Sequence, residues 1–452
     1  MIEDDTLFDS RFEDEKNSKE KITGSLEPNN SADGQNFISE SKNFRGFLLI
    51  FACQSISLLG SAVVQFSLIW WITDLTGNSM ILSLAIFFGT LPLVILSPFA
   101  GVFTDRLNRK LVLLTTDLLQ ALVIVFLAFL FTFEIVEVWY ILILLAVRGT
   151  LQAFQLPVGF VIVSLMVPTE KIPRINSLNY LFNSLILVAS PAIGATALVI
   201  FSIEDILWLD IITFIPSLIA ITLVDIPRTS QLNEFRLKSA PSFLLEFKEG
   251  VVFLKNSVLL PVFVMYALTN VFLHPLYSLL PLFIKKAHSG GIAEYAMIES
   301  MFQIGMLMGS GFMLLWKDHS PKVMYIIISW FAVLIGAIMV ALVPFKNYGL
   351  ISLAFWIWGF SAIIGDIHLL SIMQVSIPVE LQGRIFSVVF TSVKSVLPFA
   401  LVVVGIFGEI IDLTLIFRVF PFLLLFMTIL FLFITDIVHL DTKLALNAQK
   451  GK

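Results

Sequence analysis

Between residues 46 and 438 the chain alternates long apolar runs with short polar breaks. The runs fall at 46–72, 80–103, 111–133, 138–165, 175–201 and 206–225. After a longer polar stretch they resume at 257–284, 294–316, 323–344, 348–374, 385–408 and 415–438. Each can cross ~30 Å of hydrocarbon as a helix, and in lipid a helix satisfies its own backbone polar groups. The pattern predicts an all-α membrane protein of twelve transmembrane helices. An even number of crossings leaves both termini on one side.

Composition agrees with this pattern. Apolar residues make up 58% of the 452, charged residues only 13%, and 43 are phenylalanine, whereas a soluble domain carries ~25% charged residues. A soluble fold is excluded, and the lipid bilayer is the first expected partner. Cations decide the orientation. Placing the termini in the cytoplasm puts most Lys and Arg in inner loops and leaves Lys285, Lys286 and Lys346 outside, as the positive-inside rule requires. The expected location is the plasma membrane, multi-pass, with both termini cytoplasmic.

Three polar segments complete the layout. Residues 1–45 hold eleven acids and six bases, and are expected to be a disordered cytoplasmic tail that carries the net charge of −5. Residues 226–256 form a cytoplasmic linker. In it Phe243, Phe247, Val251 and Leu254 share one face of an amphipathic helix suited to the membrane surface. Residues 439–452 form a second cytoplasmic tail. Either side of the linker, 46–225 and 257–438 are expected to be an N-terminal and a C-terminal six-helix half. A repeat supports the division. Pro168, Glu170, Arg174, Ile175 and Ser177 recur as Pro378, Glu380, Arg384, Ile385 and Ser387, after the fourth and tenth runs. Parallel repeats of this kind build many carriers, and Glu170, Arg174, Glu380 and Arg384 are candidates for a repeat-loop gate.

Catalytic chemistry lacks its signatures. Cys53 is the single cysteine, so no intrachain disulfide can form, and there is no C-x-x-C, H-E-x-x-H or phosphate-binding glycine loop. No enzyme activity, cofactor, metal site or ATP-driven pump is expected. Nucleic acid is not an expected partner, and the chain is expected to be monomeric.

The densest polar motif lies between the second and third runs, Gly-Val-Phe-Thr-Asp-Arg-Leu-Asn-Arg-Lys over residues 101–110. Gly101 allows close helix approach. Asp105 can cap the next helix and attract Arg106 or Arg109, and Arg109 and Lys110 suit anionic headgroups. The spacing resembles the cytoplasmic signature of the major facilitator superfamily, with Asn108 where that family usually has glycine. Asparagine tolerates a left-handed turn better than most residues. Further residues are similar to the drug–proton antiporter branch that contains macrolide exporters. They are Gln54 to Ser61, Thr76 to Ser79, Leu91-Pro92, Arg148-Gly149, Ser190-Pro191, Asp210 and Gly383-Arg384. The fifth-run signature, usually centred on Gly-Pro, here reads Ser190-Pro191-Ala-Ile-Gly194.

The resemblance implies two pseudo-symmetric six-helix halves, the major facilitator fold, working by alternating access. It also implies proton-coupled efflux of small hydrophobic or amphiphilic compounds such as macrolides, with protons as the coupling ion. In this reading Gly101, Asp105, Arg106, Asn108, Arg109 and Lys110 form a cytoplasmic gate. Export of a lipid, siderophore or metabolite is the alternative within transport, and a transport-dead membrane sensor or scaffold the alternative outside it.

Ionisable residues inside the apolar runs mark further candidates, because each costs at least ~2.5–3.5 kcal/mol at mid-membrane unless it faces a cavity or partner. Arg148 lies near the midplane and can bind an anionic group or neutralise a carboxylate. Asp210 and Glu299 can gate the outside or carry a proton. Asp366 and Lys394 lie at similar depth in the tenth and eleventh runs, as a possible ion pair, and Asp117 is a candidate inner-gate partner for the 101–110 loop.

Overall fold

A buried backbone without water must close its own hydrogen bonds, and this chain does so with helices. The computed structural model describes residues 32–168, 171–227, 252, 257, 259–316, 323–376, 379–435 and 437, with the backbone alone at 32–43, 98, 101–106, 160, 164, 173 and 375–394. The first helices are α1 (Ala32–Thr76), α2 (Ser79–Arg106), α3 (Arg109–Thr132), α4 (Val138–Met166), α5 (Ile172–Ile200) and α6 (Ile203–Leu223). Then follow α7 (Leu260–Ser278), α8 (Leu280–His288), α9 (Ile292–Leu315), α10 (Val323–Leu342), α11 (Tyr348–Ser376), α12 (Val379–Ile410) and α13 (Leu413–Ile434). Among the described residues, eleven helices are long and apolar enough to cross a membrane, and Ser395–Ile410 of α12 is a shorter apolar helix. The protein is an all-α, multi-pass membrane protein.

Local chemistry sets the ends. Gly77, at φ +55°, makes the turn between α1 and α2, and Asn78 caps α2 by accepting from the Ile81 N–H at 2.8 Å. Asp412 caps α13 in the same way, accepting from Thr414 N–H at 2.9 Å. Two boundaries depart from the sequence pattern. The helix of α1 starts at Ala32, so residues 32–45 of the expected disordered tail extend it, because propagating a nucleated helix costs little. The expected continuous run 257–284 is broken at Leu279 into α7 and α8. Pro281 lacks the N–H that would continue the ladder. Residues 1–31, most of the linker 226–256 and the tail 439–452 lie outside the described residues.

Faces follow the lipid. On α3, Asp117, Gln120, Ile124 and Leu127 are buried, while Leu118, Leu122, Phe126 and Phe129 are exposed. The apolar side therefore meets hydrocarbon and the polar side meets other helices, the reverse of a soluble helix. In packing, α2 lies on α4, α1 on α5 and α6, and α3 on α4 and α6. The same relations recur later: α9 on α11, α7 on α12 and α13, and α10 on α11 and α13. Between the two sets α2 meets α12, α5 meets α9, and α8 touches α1.

The tightest seams use glycine to let backbones approach. Gly305 and Gly309 of α9 sit against the backbone of Trp356 and Phe360 on α11, and Gly359 of α11 against Phe302 of α9. In the first set, Gly149 of α4 abuts Gly89 of α2. Gly311, on the same helix as Gly305 and Gly309, has nothing within 4 Å of its would-be Cβ. Three apolar clusters fill the interior. Two lie within α1–α6, and the third joins α7–α13 to Phe66, Leu82 and Ala195 of the first set.

Candidate functional site

At the α2–α3 turn the structure describes only the backbone of 101–106, which leaves out the side chains of Asp105 and Arg106 and the packing on Gly101. Arg109 and Lys110 open α3, and the cap of that helix is Asn108, not Asp105. Its Oδ1 accepts from Lys110 N–H at 3.1 Å. Its backbone (φ −68°, ψ 112°) is extended, so this turn needs no left-handed residue, which is why asparagine can stand where glycine is usual. Lys110 does something the sequence did not suggest. Its Nζ donates to the carbonyls of Thr222 and Val224, each at 2.8 Å, closing the carbonyl end of α6 where a cation is also favoured by the helix dipole. In the repeat loops Arg174 is exposed, Glu170 lies outside the described residues, and for Glu380, Arg384 and Lys394 only the α12 backbone is described.

Asp117 centres a polar network across four helices. Its Oδ2 accepts from Gln54 Nε2 at 2.8 Å and Ser217 Oγ at 3.0 Å, and its Oδ1 from Gln155 Nε2 at 2.7 Å. Gln155 Oε1 in turn accepts from Gln120 at 2.8 Å. A buried carboxylate is tolerated when its lone pairs are filled in this way. The network ties α1, α3, α4 and α6 together. Gln155 and Ser217 were not anticipated. The i, i+3 spacing of Asp117 and Gln120 was the available clue.

Further along the same helices, Asp210 of α6 and Arg148 of α4 are both buried. Ser61 Oγ donates to Asp210 at 3.3 Å, as does Thr213 Oγ1. Arg148 acts on Asp210 through its charge, and the one ion pair within 4 Å among the described residues lies elsewhere, between Lys285 and Asp74. Gly60 is required here, since a Cβ would fall 2.7 Å from Asp210 Oδ1.

In the second set a cavity of about 270 Å³ opens between α7, α9, α10 and α11. Asp366 lines it and is exposed, with Tyr266 as its polar partner. Tyr277 also lines it and donates to Glu299, whose Oε1 further accepts from Gln303 at 3.3 Å. His274 faces the same space. His368 does not line it. Its Nδ1 pairs with the Ile364 carbonyl at 2.9 Å, and its ring lies 4.9 Å from that of Tyr325. The aromatic lining was not legible, because 43 phenylalanines and eight tryptophans give no sign of which ones face a cavity.

Contacts between the two sets gather where α2 begins. Glu409 of α12 accepts from Ser79 N–H and Ser79 Oγ, both at 2.7 Å. Ser79 Oγ also reaches the Gly405 carbonyl at 3.0 Å. Lys285 of α8 pairs with Asp74 at 2.6 Å. Tyr295 of α9 stacks on Phe66 of α1 with ring centroids 4.9 Å apart. Glu409 was missed because a carboxylate near a helix end reads as an ordinary interfacial residue.

A multi-pass helical bundle with repeated packing, buried charges and an internal cavity defines a membrane carrier. The family model described as Major Facilitator Superfamily matches residues 50–401, and the chain belongs to that superfamily. It is a secondary transporter. Macrolide efflux protein A of Streptococcus pyogenes is 26% identical over 399 residues, covering 88% of this chain and 98% of that protein. The protein of the same name from Enterococcus faecalis is 25% identical over 327 residues, covering 72% of this chain and 100% of that protein. The uncharacterized MFS-type transporter YfiS of Bacillus subtilis is 23% identical over 421 residues, covering 91% and 98%. Among solved structures, a mutant of the nucleoside transporter NupG matches with TM-score 0.65 at 13% identity, covering 85% of this chain and 99% of that one. A POT family transporter in complex with 5-aminolevulinic acid matches with TM-score 0.64 at 11% identity, covering 86% and 95%. At these identities the structural likeness speaks for the fold alone.

Proposed function

We propose that this carrier exports hydrophobic or amphiphilic compounds, macrolide-like drugs included, in exchange for protons. It would do so by alternating access between halves 46–225 and 257–438, each of six spans. One observation carries the mechanical part: the packing relations among α1–α6 recur among α7–α13, with the two sets meeting through α2–α12 and α5–α9. Two bodies built alike and joined along two seams can rock about the space between them. Relatives named as macrolide efflux proteins, covered over 98% and 100% of their length, support the export of such compounds.

In this reading the α2 start is an outer gate held by Glu409 and by the Lys285–Asp74 pair. The loop 101–110 and the repeat loops with Glu170, Arg174, Glu380 and Arg384 form the cytoplasmic gate. Asp210, with Arg148 beside it, is the proton-coupling candidate of the first half, and Asp366 and Glu299 are those of the second. Asp117 acts as a structural tie, because its oxygens are already filled.

The test is efflux from proteoliposomes loaded with a panel of macrolides and lipophilic dyes, with and without an imposed proton gradient. Gradient-dependent movement is expected for at least one member. No movement from folded protein, across the whole panel, contradicts the reading.

A further inference from the structure

One buried imidazole joins two turns at the same end of the second set. His288, the last residue of α8, is 4% exposed. Its Nδ1 accepts from the backbone N–H of Lys346 at 3.2 Å, and its carbonyl accepts from Tyr348 Oη at 2.8 Å. The ring stands edge-on to Phe283, with centroids 4.9 Å apart, and nearly parallel to Phe345 at 6.2 Å. Ser289 and Lys346, one in each turn, stand at φ +56° and +60°. Residues with side chains hold this left-handed backbone only where contacts enforce it. The helix that His288 ends also grips the first set, because Lys285 Nζ donates to the carboxylate of Asp74 at 2.6 Å and to its carbonyl at 2.7 Å. The imidazole therefore ties the turn before α11 to the helix that reaches across the seam.

A backbone N–H can only donate, so the bond from Lys346 exists only while Nδ1 carries no proton. The neutral ring, protonated on Nε2, meets that need. The imidazolium, protonated on both nitrogens, sets one N–H against another. The charged and titratable groups around it are Lys285 and Lys286 on α8, Glu294 on α9, Lys346 and Tyr348 at the start of α11, and the exposed Arg418 beside Phe417 on α13. Glu294 is occupied in accepting from Gly291 N–H at 2.8 Å, and Lys346 Nζ lies over the Phe345 ring. Among the described residues no carboxylate lies within 4 Å of the imidazole, the one ion pair being Lys285–Asp74. Nothing compensates a charge on the ring, and burial pushes the His288 pKa below the ordinary histidine value. The bond is therefore complete at neutral pH and is lost as pH falls through the acid side of the histidine range.

We propose that His288 is a proton-operated latch on the seam between the two sets. It is a positioning residue: it holds α8, and with it the Lys285–Asp74 pair, while Nδ1 is free, and releases them when acid protonates the ring. The proposal rests on the outer-gate part of the carrier reading and deepens it. A proton arriving from the outer, acidic side loosens the gate on that side, without occupying any carboxylate assigned to coupling.

Pulsed electron paramagnetic resonance on the full chain in proteoliposomes tests it. Spin labels at Glu137→Cys and Ala293→Cys, in a Cys53→Ser background, sit at exposed positions on α4 and α9 at either side of the seam. Their separation is read at pH ~7.5 and pH ~5, which bracket the histidine range. The short separation should dominate at neutral pH, and its fraction should fall about two-fold or more in acid, as loss of one buried hydrogen bond requires. His288→Asn puts an amide oxygen near the place of Nδ1 that accepts at either pH, so it should keep the short separation in both. If that variant does not fold, His288→Gln offers the same amide on a longer stem and carries the same expectation. A separation that ignores pH while His288 is present overturns the proposal. An acid response that survives the amide substitution does so too, because it would belong to Asp74, Glu294 or Glu409. Gradient-driven dye efflux from the same vesicles separates the two ideas. Efflux with a pH-independent separation would defeat the latch and leave the carrier reading. A seam that widens in acid only with His288 present, in protein that moves no dye, would defeat the proton-exchange reading and leave the latch.

Discussion

Single residues in this protein are chosen by what a buried charge requires. Asp117 accepts three side-chain hydrogen bonds from α1, α4 and α6. Truncating it strands three donors, each lost charge-assisted bond being worth about 1.5–3 kcal/mol. Asp117→Ala should therefore lower the midpoint of thermal unfolding in detergent more than Ser217→Ala does. An unchanged midpoint would show that the network does not hold these helices. Arg148 and Asp210 make a different prediction. If each offsets the other's charge, Arg148→Met should depress folded yield. The double variant Arg148→Met with Asp210→Asn should recover at least half of that loss, a coupling that a double-mutant cycle measures directly. Independent, additive losses would mean the two charges serve separate partners. The sequence identified these positions, since a charge in an apolar run stands out against its background. It did not reveal the partners, because Gln155 and Ser217 are unremarkable until the helices meet.

Helices were the most legible level. Lipid requires long apolar runs, and their periodic breaks mark the ends to within a few residues, as the Asn78 and Asp412 caps illustrate. Two features escaped that reading. The break at Leu279 precedes Pro281, which lacks the N–H that would continue the ladder, yet other helices here carry a proline without a break, as α13 carries Pro421. The extension of α1 back to Ala32 runs through polar residues that give no hydrophobic signal. Glycine seams were not legible, because only contact with α11 distinguishes Gly305 and Gly309 from Gly311 on the same helix. Gly359→Val should consequently abolish a monodisperse peak in size-exclusion chromatography, since its side chain would enter the Phe302 backbone. Gly311→Val, with open space around it, should elute as the unmodified protein does. Matching profiles for both variants would remove the seam argument.

At the scale of the whole molecule, the pairing of α2 with α12 and of α5 with α9 places the structure in one arrangement of a carrier that must have at least two. In the alternating-access reading proposed above, the contacts near Ser79 hold this arrangement and would break in the other. Glu409→Gln keeps the shape but removes the charge that meets the α2 N-terminus, where the helix dipole favours an anion. It should shift the balance away from this arrangement, seen as faster labelling of a cysteine placed at Ser83. No change in labelling would mean that Glu409 does not hold the seam. The repeated loop motif hinted at two similar halves. Which helices join them was hidden, because seams such as Ser79 with Gly408 are made of small residues that appear throughout the chain.

Alternating access is the central claim, and one cross-link tests it most directly. A Cβ at Gly408 would lie 2.8 Å from that of Ser79, slightly nearer than the ~3.5–4.5 Å that a disulfide spans. Ser79→Cys with Gly408→Cys, in a Cys53→Ser background, should therefore join α2 to α12 on oxidation after small adjustment. Gradient-driven efflux from proteoliposomes should stop when the bond forms and return when a reductant breaks it. Efflux that continues unchanged through the oxidised protein would contradict the account, because a carrier locked at this seam could not open to the other side.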